Sequence, residues 1–313
     1  MPRHKIIIDT DPGQDDAVAI LLALASPGDL DVLAITCVAG NVPLALTSRN
    51  ARAVCELAQI PDVPIYAGCE TPLVQPLVTA EHVHGKSGLD GADLPDPVRP
   101  LSPAFGPDAI IDHVRREPPG TVTLCPLGPL TNIATALRKA PDVASRLGGI
   151  VLMGGAYFEV GNITPAAEFN IYVDPEAAAV VFSCGAPITV LPLDVTHKAL
   201  ITAPRLAAIA GIGTPVSKAV SGWLDFFERF DIEKYGSAGA PLHDPCVIAY
   251  LLAPDLFKGR HINVEIETSS ELTRGMTVAD WWGVTDRSPN AHFIGDIDAD
   301  GFFELLTARL ARL

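Results

Sequence analysis

Short apolar runs alternate with helix-like patterns along most of this chain, and that alternation restricts the fold more than any single motif. Lys5–Ile8 is strand-like and Asp16–Leu24 helix-like; Asp31–Val38 and Ala45–Ala58 repeat the pair. It recurs at Thr121–Pro126 with Leu130–Lys139, and at Ile150–Met153 ahead of a helix expected from Pro175 to Cys184. Such repetition predicts an α/β fold with a mostly parallel, Rossmann-like central sheet flanked by helices. At 313 residues the chain could form two domains, but α/β folds of this size often form one unit, so a single domain over 1–313 is expected. Ligands of such sheets bind where loops leave the carboxyl ends of the strands. Polar residues collect there: Asp9-Thr-Asp-Pro-Gly-Gln-Asp-Asp16, Gly40-Asn41, Gly128-Pro-Leu-Thr-Asn132, Gly154-Gly155 and Asp194-Val-Thr-His197. A longer segment, roughly Cys69 to Pro100, looks irregular and has the character of a lid or binding loop.

Composition removes several function classes. The formal net charge of −15 argues against binding a phosphate backbone, which demands clustered Lys and Arg, and favours a small neutral molecule or a cation as partner. The longest apolar stretches, such as Ala17 to Ala25, reach about half of the roughly 20 residues a membrane span needs, so no membrane partner is expected. Met-Pro-Arg-His-Lys leads directly into Ile6 without a secretory pattern, so a cytoplasmic location is expected. Six cysteines lie dispersed without CxxC spacing and read as reduced core residues.

Asp9, Asp11, Asp15 and Asp16 follow a strand of isoleucines and lead into an apolar helix. Pro12-Gly13 forces a tight turn that lets the side chains of Asp11 and Asp16 converge. Like charges held that closely raise pKa values or demand a cation. The donors are all oxygens, which favours calcium or magnesium over zinc. The plainer alternative is that Asp15 and Asp16 cap a helix and favour its positive end. A phosphoaspartyl-transferase loop also uses Asp-x-Asp, but it continues with a small residue and Thr or Val where this chain has Pro12-Gly13. Asp296-Ile-Asp-Ala-Asp-Gly301 copies half of an EF-hand loop, yet its twelfth position is Thr307 and a strand precedes it; it reads as a surface turn before the last helix.

Asp9-Thr-Asp-Pro-Gly-Gln-Asp-Asp-Ala17 resembles the N-terminal signature of the inosine-uridine-preferring nucleoside hydrolases. Ala39-Gly-Asn41, His84-Gly-Lys-Ser-Gly-Leu-Asp-Gly91, Gly128-Pro-Leu-Thr-Asn132, Met153-Gly-Gly155, Asn162-Ile-Thr-Pro-Ala-Ala-Glu-Phe-Asn170 and Pro241-Leu-His-Asp-Pro245 follow in the family's order, covering nearly the whole chain. The resemblance implies hydrolysis of the N-glycosidic bond of ribonucleosides to free base and ribose. It implies one calcium ion per subunit, held by Asp11, Asp16, Asp244 and the main-chain carbonyl of Leu127. Many relatives carry Thr at the last position, where only the carbonyl is used. Asp11 is implied as the base that takes a proton from a calcium-bound water. Asp15, Asn41, Met153, Asn162, Glu168 and Asn170 are implied around the ribose, with His243 near the leaving base. Attack opposite the base would invert the anomeric centre, by analogy with inverting glycosidases.

Asp194-Val-Thr-His-Lys-Ala199, Leu224-Asp-Phe-Phe227 and Gly275-Met-Thr-Val278 are similar to the pyrimidine-preferring branch, which implies uridine and cytidine as substrates and inosine as a slower third. His84, with His82, is expected in a flap over the base, and Phe227 and Tyr235 on its other side, unless these aromatics only pack helices. Relatives are commonly dimers or tetramers, so a homo-oligomer, homotetramer included, is implied. Two other classes fit less well: a non-catalytic nucleoside or ribose-binding protein, which would need no base such as Asp11, and a phosphoaspartate-type phosphatase, which fails on Pro12-Gly13 and lacks a lysine-bearing partner motif.

Overall fold

The computed structural model describes residues 3–60, 62–235 and 239–313, with the side chains of 228–235 outside the description. Its strands in chain order are β1 (His4–Thr10), β2 (Leu30–Cys37), β3 (Ile65–Ala67), β4 (Val122–Pro126), β5 (Gly149–Met153), β6 (Ile188–Leu191), β7 (Leu200–Ile201), β8 (Ala240–Pro241), β9 (Phe257–Ile262), β10 (Val264–Ile266), β11 (Thr277–Ala279) and β12 (Ala291–Ile297). Eight of them form one sheet in the order β3-β2-β1-β4-β5-β6-β12-β9. Every pairing in it is parallel except the β12–β9 edge. This is the α/β, Rossmann-like sheet that the alternation predicts.

The period-two geometry of β1 explains why three isoleucines suit it. Ile6 and Ile8 join the core on one face, with Leu21 and Trp223, while Ile7 points to the other, with Ile110 and Ile133. Both faces are covered, so the strand reads as a continuous apolar run. The helix Gln14–Leu24 is buried along its entire length, including its acidic first turn. It packs against the helix Pro245–Leu252, which follows Asp244, so two distant stretches of chain meet at one level of the fold.

Strand order reverses between β1 and β4, which puts the carboxyl ends of β1, β2 and β4 around the crevice where open α/β sheets bind ligands. Asn132 ties these ends together. Its Nδ2 donates to Asp9 Oδ1 at 2.7 Å and to the Cys37 carbonyl at 3.0 Å, while its Oδ1 accepts the Cys69 amide at 2.8 Å. Asp9 also accepts from Thr36 Oγ1 at 2.5 Å. Burial drives the Asp9 carboxyl up to about 7 despite these two donors.

Element boundaries fall within a residue or two of the expected ones, and Gln14 and Asp15 already belong to the first helix. The helix from Pro175 ends at Phe182, short of Cys184, because Gly185 turns the chain with a φ of 82°. The Cys69–Pro100 segment is irregular apart from a short helix at Glu81–His84. Asp298 follows β12 and accepts from the Gly301 amide to cap the final helix, Ala299–Leu310, so the half EF-hand motif is a strand-to-helix turn. All six cysteines are free.

Replacing Asn132 with Ala strands the Cys69 amide and takes one of two side-chain donors from the buried Asp9 carboxyl, while the Cys37 carbonyl keeps the Gly68 amide. Urea unfolding is expected to show a loss of about 2–4 kcal/mol; a change indistinguishable from zero would refute this clamp.

Candidate active site

The floor of the crevice is built by the turn from β1 into the helix Gln14–Leu24. Asp16 reaches back over that turn: its Oδ1 accepts Thr10 Oγ1 at 2.5 Å and the Asp11 amide at 3.3 Å, and its Oδ2 accepts the Gly13 amide at 3.0 Å. The capping alternative therefore holds for Asp16, alongside its place in the acidic cluster. Asn41, following β2, donates its backbone N–H to Asp11 Oδ2 at 2.7 Å and its side-chain amide to Asp16 Oδ2 at 3.2 Å. Asp11 Oδ1 is buried without a hydrogen-bond partner among the described residues. Two motif glycines let the backbone close on this carboxylate. A Cβ on Gly40 would stand 2.0 Å from Asp11 Oδ2, and one on Gly128 would stand 2.1 Å from Oδ1.

Asp244 enters from the other end of the chain. Oxygens of Asp15, Asp16 and Asp244 lie within 4.8 Å of one another, the grouping of metal-ligating side chains that the described residues contain. Burial raises Asp15 to about 7, with the Asp16 charge as the next cause. Burial, then the Asp16 charge, pushes Asp11 well above the carboxylate range, and burial, then the Asp15 and Asp16 charges, does the same to Asp244. Four buried carboxyls in one place cannot all ionise without a compensating positive charge. An all-oxygen donor set and an orphaned carboxylate oxygen fit a hard divalent cation.

Of the ligands that the resemblance implies, Asp16 and Asp244 fall in this grouping together with Asp15, which is implied at the ribose, and Asp11 adjoins it through the Asp16 and Asp15 charges. The Leu127 carbonyl is within reach of the cleft and accepts Asn170 Nδ2 at 2.7 Å.

The walls bring together the remaining expected residues. Asn41, Met153, Asn162, Glu168 and Asn170 all line the cleft with Asp15 and Asp244. Glu168 caps the helix Phe169–Val173, accepting the Asn170 amide at 2.9 Å, and also accepts the Gly155 amide at 3.0 Å; burial raises it to about 7. Asn162 Oδ1 accepts the Phe169 amide at 2.9 Å. Opposite in chemistry is an aromatic group. The His84 ring lies 5.6 Å from Phe227, which meets His243 edge-on at 6.4 Å. Burial drives His84 down to about 3 and His243 well below its ordinary value. His84 Nδ1 is 2.6 Å from Gln14 Oε1, and a Cβ on Gly13 would strike the same ring at 2.4 Å, so the flap residue is seated directly on the acidic turn. His243 Nδ1 is 2.8 Å from Thr196 Oγ1. The Tyr235 side chain lies outside the described residues.

Gln14, Thr196 and His197 take part in the site but were absent from the expected set. Their motifs were visible, as the Gln in Asp9–Asp16 and as Asp194-Val-Thr-His197, but nothing local reveals which side chains they meet.

An α/β sheet whose switch point opens on a cation-suited acidic floor, with amides on one wall and aromatics on another, defines an enzyme cleft for a ligand that is polar at one end and flat at the other. The model of the family described as inosine-uridine preferring nucleoside hydrolase matches residues 6–304, and this chain belongs to that family: it is a hydrolytic enzyme, a nucleoside N-ribohydrolase. It is 47% identical over 311 residues to a pyrimidine-specific ribonucleoside hydrolase RihA of Salmonella paratyphi B, with 97% of each chain covered. Among solved structures it is similar to a plant nucleoside hydrolase, at 36% identity and a TM-score of 0.92 with 99% of each chain covered. A purine-preferring ribonucleoside hydrolase from Gardnerella vaginalis aligns at 32% identity and a TM-score of 0.91, covering 98% of each chain.

If a cation offsets the four carboxyls, adding calcium to chelator-treated protein raises the melting temperature by about 5–10 °C. Asp244→Asn is expected to remove most of that shift. Identical melting with and without calcium would contradict the cation reading of this site.

Proposed function

We propose that the chain hydrolyses the N-glycosidic bond of pyrimidine ribonucleosides, uridine and cytidine foremost with inosine slower, in a calcium-dependent reaction. The observation that carries this reading is the buried, unpartnered Asp11 Oδ1 beside the Asp15–Asp16–Asp244 trio. A base poised to take a proton leaves such an oxygen free. The 47% identity to a relative named pyrimidine-specific supports the substrate preference.

In this reading Asp11, Asp16, Asp244 and the Leu127 carbonyl would hold the ion. When bound, calcium supplies a positive charge that acidifies water and grips sugar hydroxyls. Asp11 Oδ1 accepts the proton of the attacking water, while Asn41 fixes its other oxygen at 2.7 Å. Asp15, Asn41, Asn162, Glu168 and Asn170 bind the ribose hydroxyls, with Met153 against the ring. Departure of the base develops positive charge at the anomeric carbon, and these carboxylates and amide oxygens stabilise it. Attack from the face opposite the base inverts the centre.

His84 and Phe227 flank the base. Thr196 can donate to Nδ1 of a neutral His243, which leaves the ring proton on Nε2 for a hydrogen bond to the departing base. The resemblance also supports a homo-oligomer, dimer or tetramer, acting in nucleoside salvage.

Purified protein incubated with uridine, cytidine and inosine is expected to release reducing sugar, fastest from the pyrimidines. No sugar from any of them would refute the proposal. Asp11→Ala is expected to retain its fold by circular dichroism and to lose about 100- to 10,000-fold in kcat; unchanged kcat would remove Asp11 from the chemistry.

A further inference from the structure

The loop from β5 to the helix Phe169–Val173 delivers Asn162 and Glu168 to the cleft, yet it has little core of its own. Residues 158–160 are exposed, and the ring contacts at this end are those of Phe158 with Tyr157 at 4.6 Å and Trp281 at 5.4 Å. Segments with few buried apolar contacts depend on hydrogen bonds for their order. The far end is held by Glu168, which caps the next helix and binds the Gly155 amide. The near end is held by a carboxylate on a different element.

Asp194, in the short helix Leu193–Thr196 after β6, is buried and accepts three consecutive backbone N–H groups of the loop. Its Oδ2 takes Tyr157 at 2.9 Å, and its Oδ1 takes Phe158 at 2.6 Å and Glu159 at 3.2 Å. The same segment makes one link to the cleft and one more to the loop. Thr196 Oγ1 meets His243 Nδ1 at 2.8 Å, and His197 Nδ1 meets Glu159 Oε2 at 3.1 Å. A carboxylate suits the first task because it is acceptor-only at both oxygens. An amide of the same size would turn an NH2 group toward at least one backbone N–H.

We infer that Asp194 is a positioning residue which, through the amides of residues 157–159, sets where Asn162 and Glu168 stand in the cleft, while Thr196 on the same segment orients His243. The loop and the histidine then share one rigid reference, the carboxyl end of β6, so sugar and base contacts are registered to each other. Displacing binding groups by about an ångström can cost about 100-fold in rate, so the effect is visible in catalysis even though Asp194 touches no substrate. This inference rests on the functional reading above for the roles of Asn162, Glu168 and His243.

Hydrogen exchange and steady-state kinetics on the calcium-loaded full chain test it. In Asp194→Asn, exchange over residues 157–162 is expected to quicken about tenfold or more while β1 and β4 stay as protected as in the unaltered protein. Its kcat/KM for uridine is expected to fall about 10- to 100-fold, and combination with Asn162→Ala to cost less than the product of the two single losses. Thr196→Val is expected to lower kcat while leaving loop exchange unchanged. Asp194→Glu keeps the acceptor-only chemistry and is expected to restore part of the loop protection, so it serves as the second variant if Asp194→Asn does not fold. Unaltered loop exchange in Asp194→Asn, or fully multiplicative losses in the double variant, would overturn the inference. A wild-type protein inactive on every nucleoside would sink the functional reading instead, and the exchange result would still decide whether Asp194 orders the loop.

Discussion

Asp11, Asp15, Asp16 and Asp244 are all buried within one small volume, and burial raises every one of their pKa values. Hydrogen bonds from Thr10, Gly13 and Asn41 relieve part of the cost at Asp16 and Asp11, but Asp11 Oδ1 has no hydrogen-bond partner among the described residues. An arrangement that costs stability when empty and favours a positive charge when filled is typical of a site rather than of a core. The cleft, its walls and the proposed chemistry are all arranged above this cluster.

The scaffold makes such a cluster feasible by concentrating constraints at the carboxyl ends of β1, β2 and β4. Glycine at 13, 40 and 128 leaves room for side chains that a Cβ would strike. Asn132 crosses between strand ends, and Asn50 extends the same logic to the irregular segment, its Nδ2 reaching the Pro12 carbonyl at 3.0 Å and the Ser87 carbonyl at 2.7 Å. Polar side chains that span several loops do the work that apolar packing does elsewhere in the fold. The aromatic wall is likewise tied to the acidic floor, since Gln14 bonds both the ring and the carbonyl of His84.

The sheet was legible because strand and helix periodicities differ and both faces of a parallel sheet must be apolar; Ile6, Ile7 and Ile8 alone announce a fully covered strand. The start of the helix at Gln14 was harder to place, since its polar first turn faces the site rather than solvent. Asp9 to Asp16 advertised a cation by local charge density. Asp244 carried no such signal by itself, because its proximity to Asp16 is a product of the packing between the helices that follow them, and only the resemblance to a family brought it in. The order in Cys69–Pro100 was invisible for the same reason: His84 and Ser87 are fixed by partners elsewhere in the chain. Asp194 is the extreme case, a single carboxylate whose three amide donors lie on another loop.

In the proposed function, turnover needs one hard cation at the carboxylate cluster. Measuring bound calcium and uridine hydrolysis on the same samples across a chelator titration tests it most directly. Both are expected to decline together, from a single calcium ion per chain at full activity. Undiminished hydrolysis in protein stripped of calcium and all other divalent ions would contradict the account.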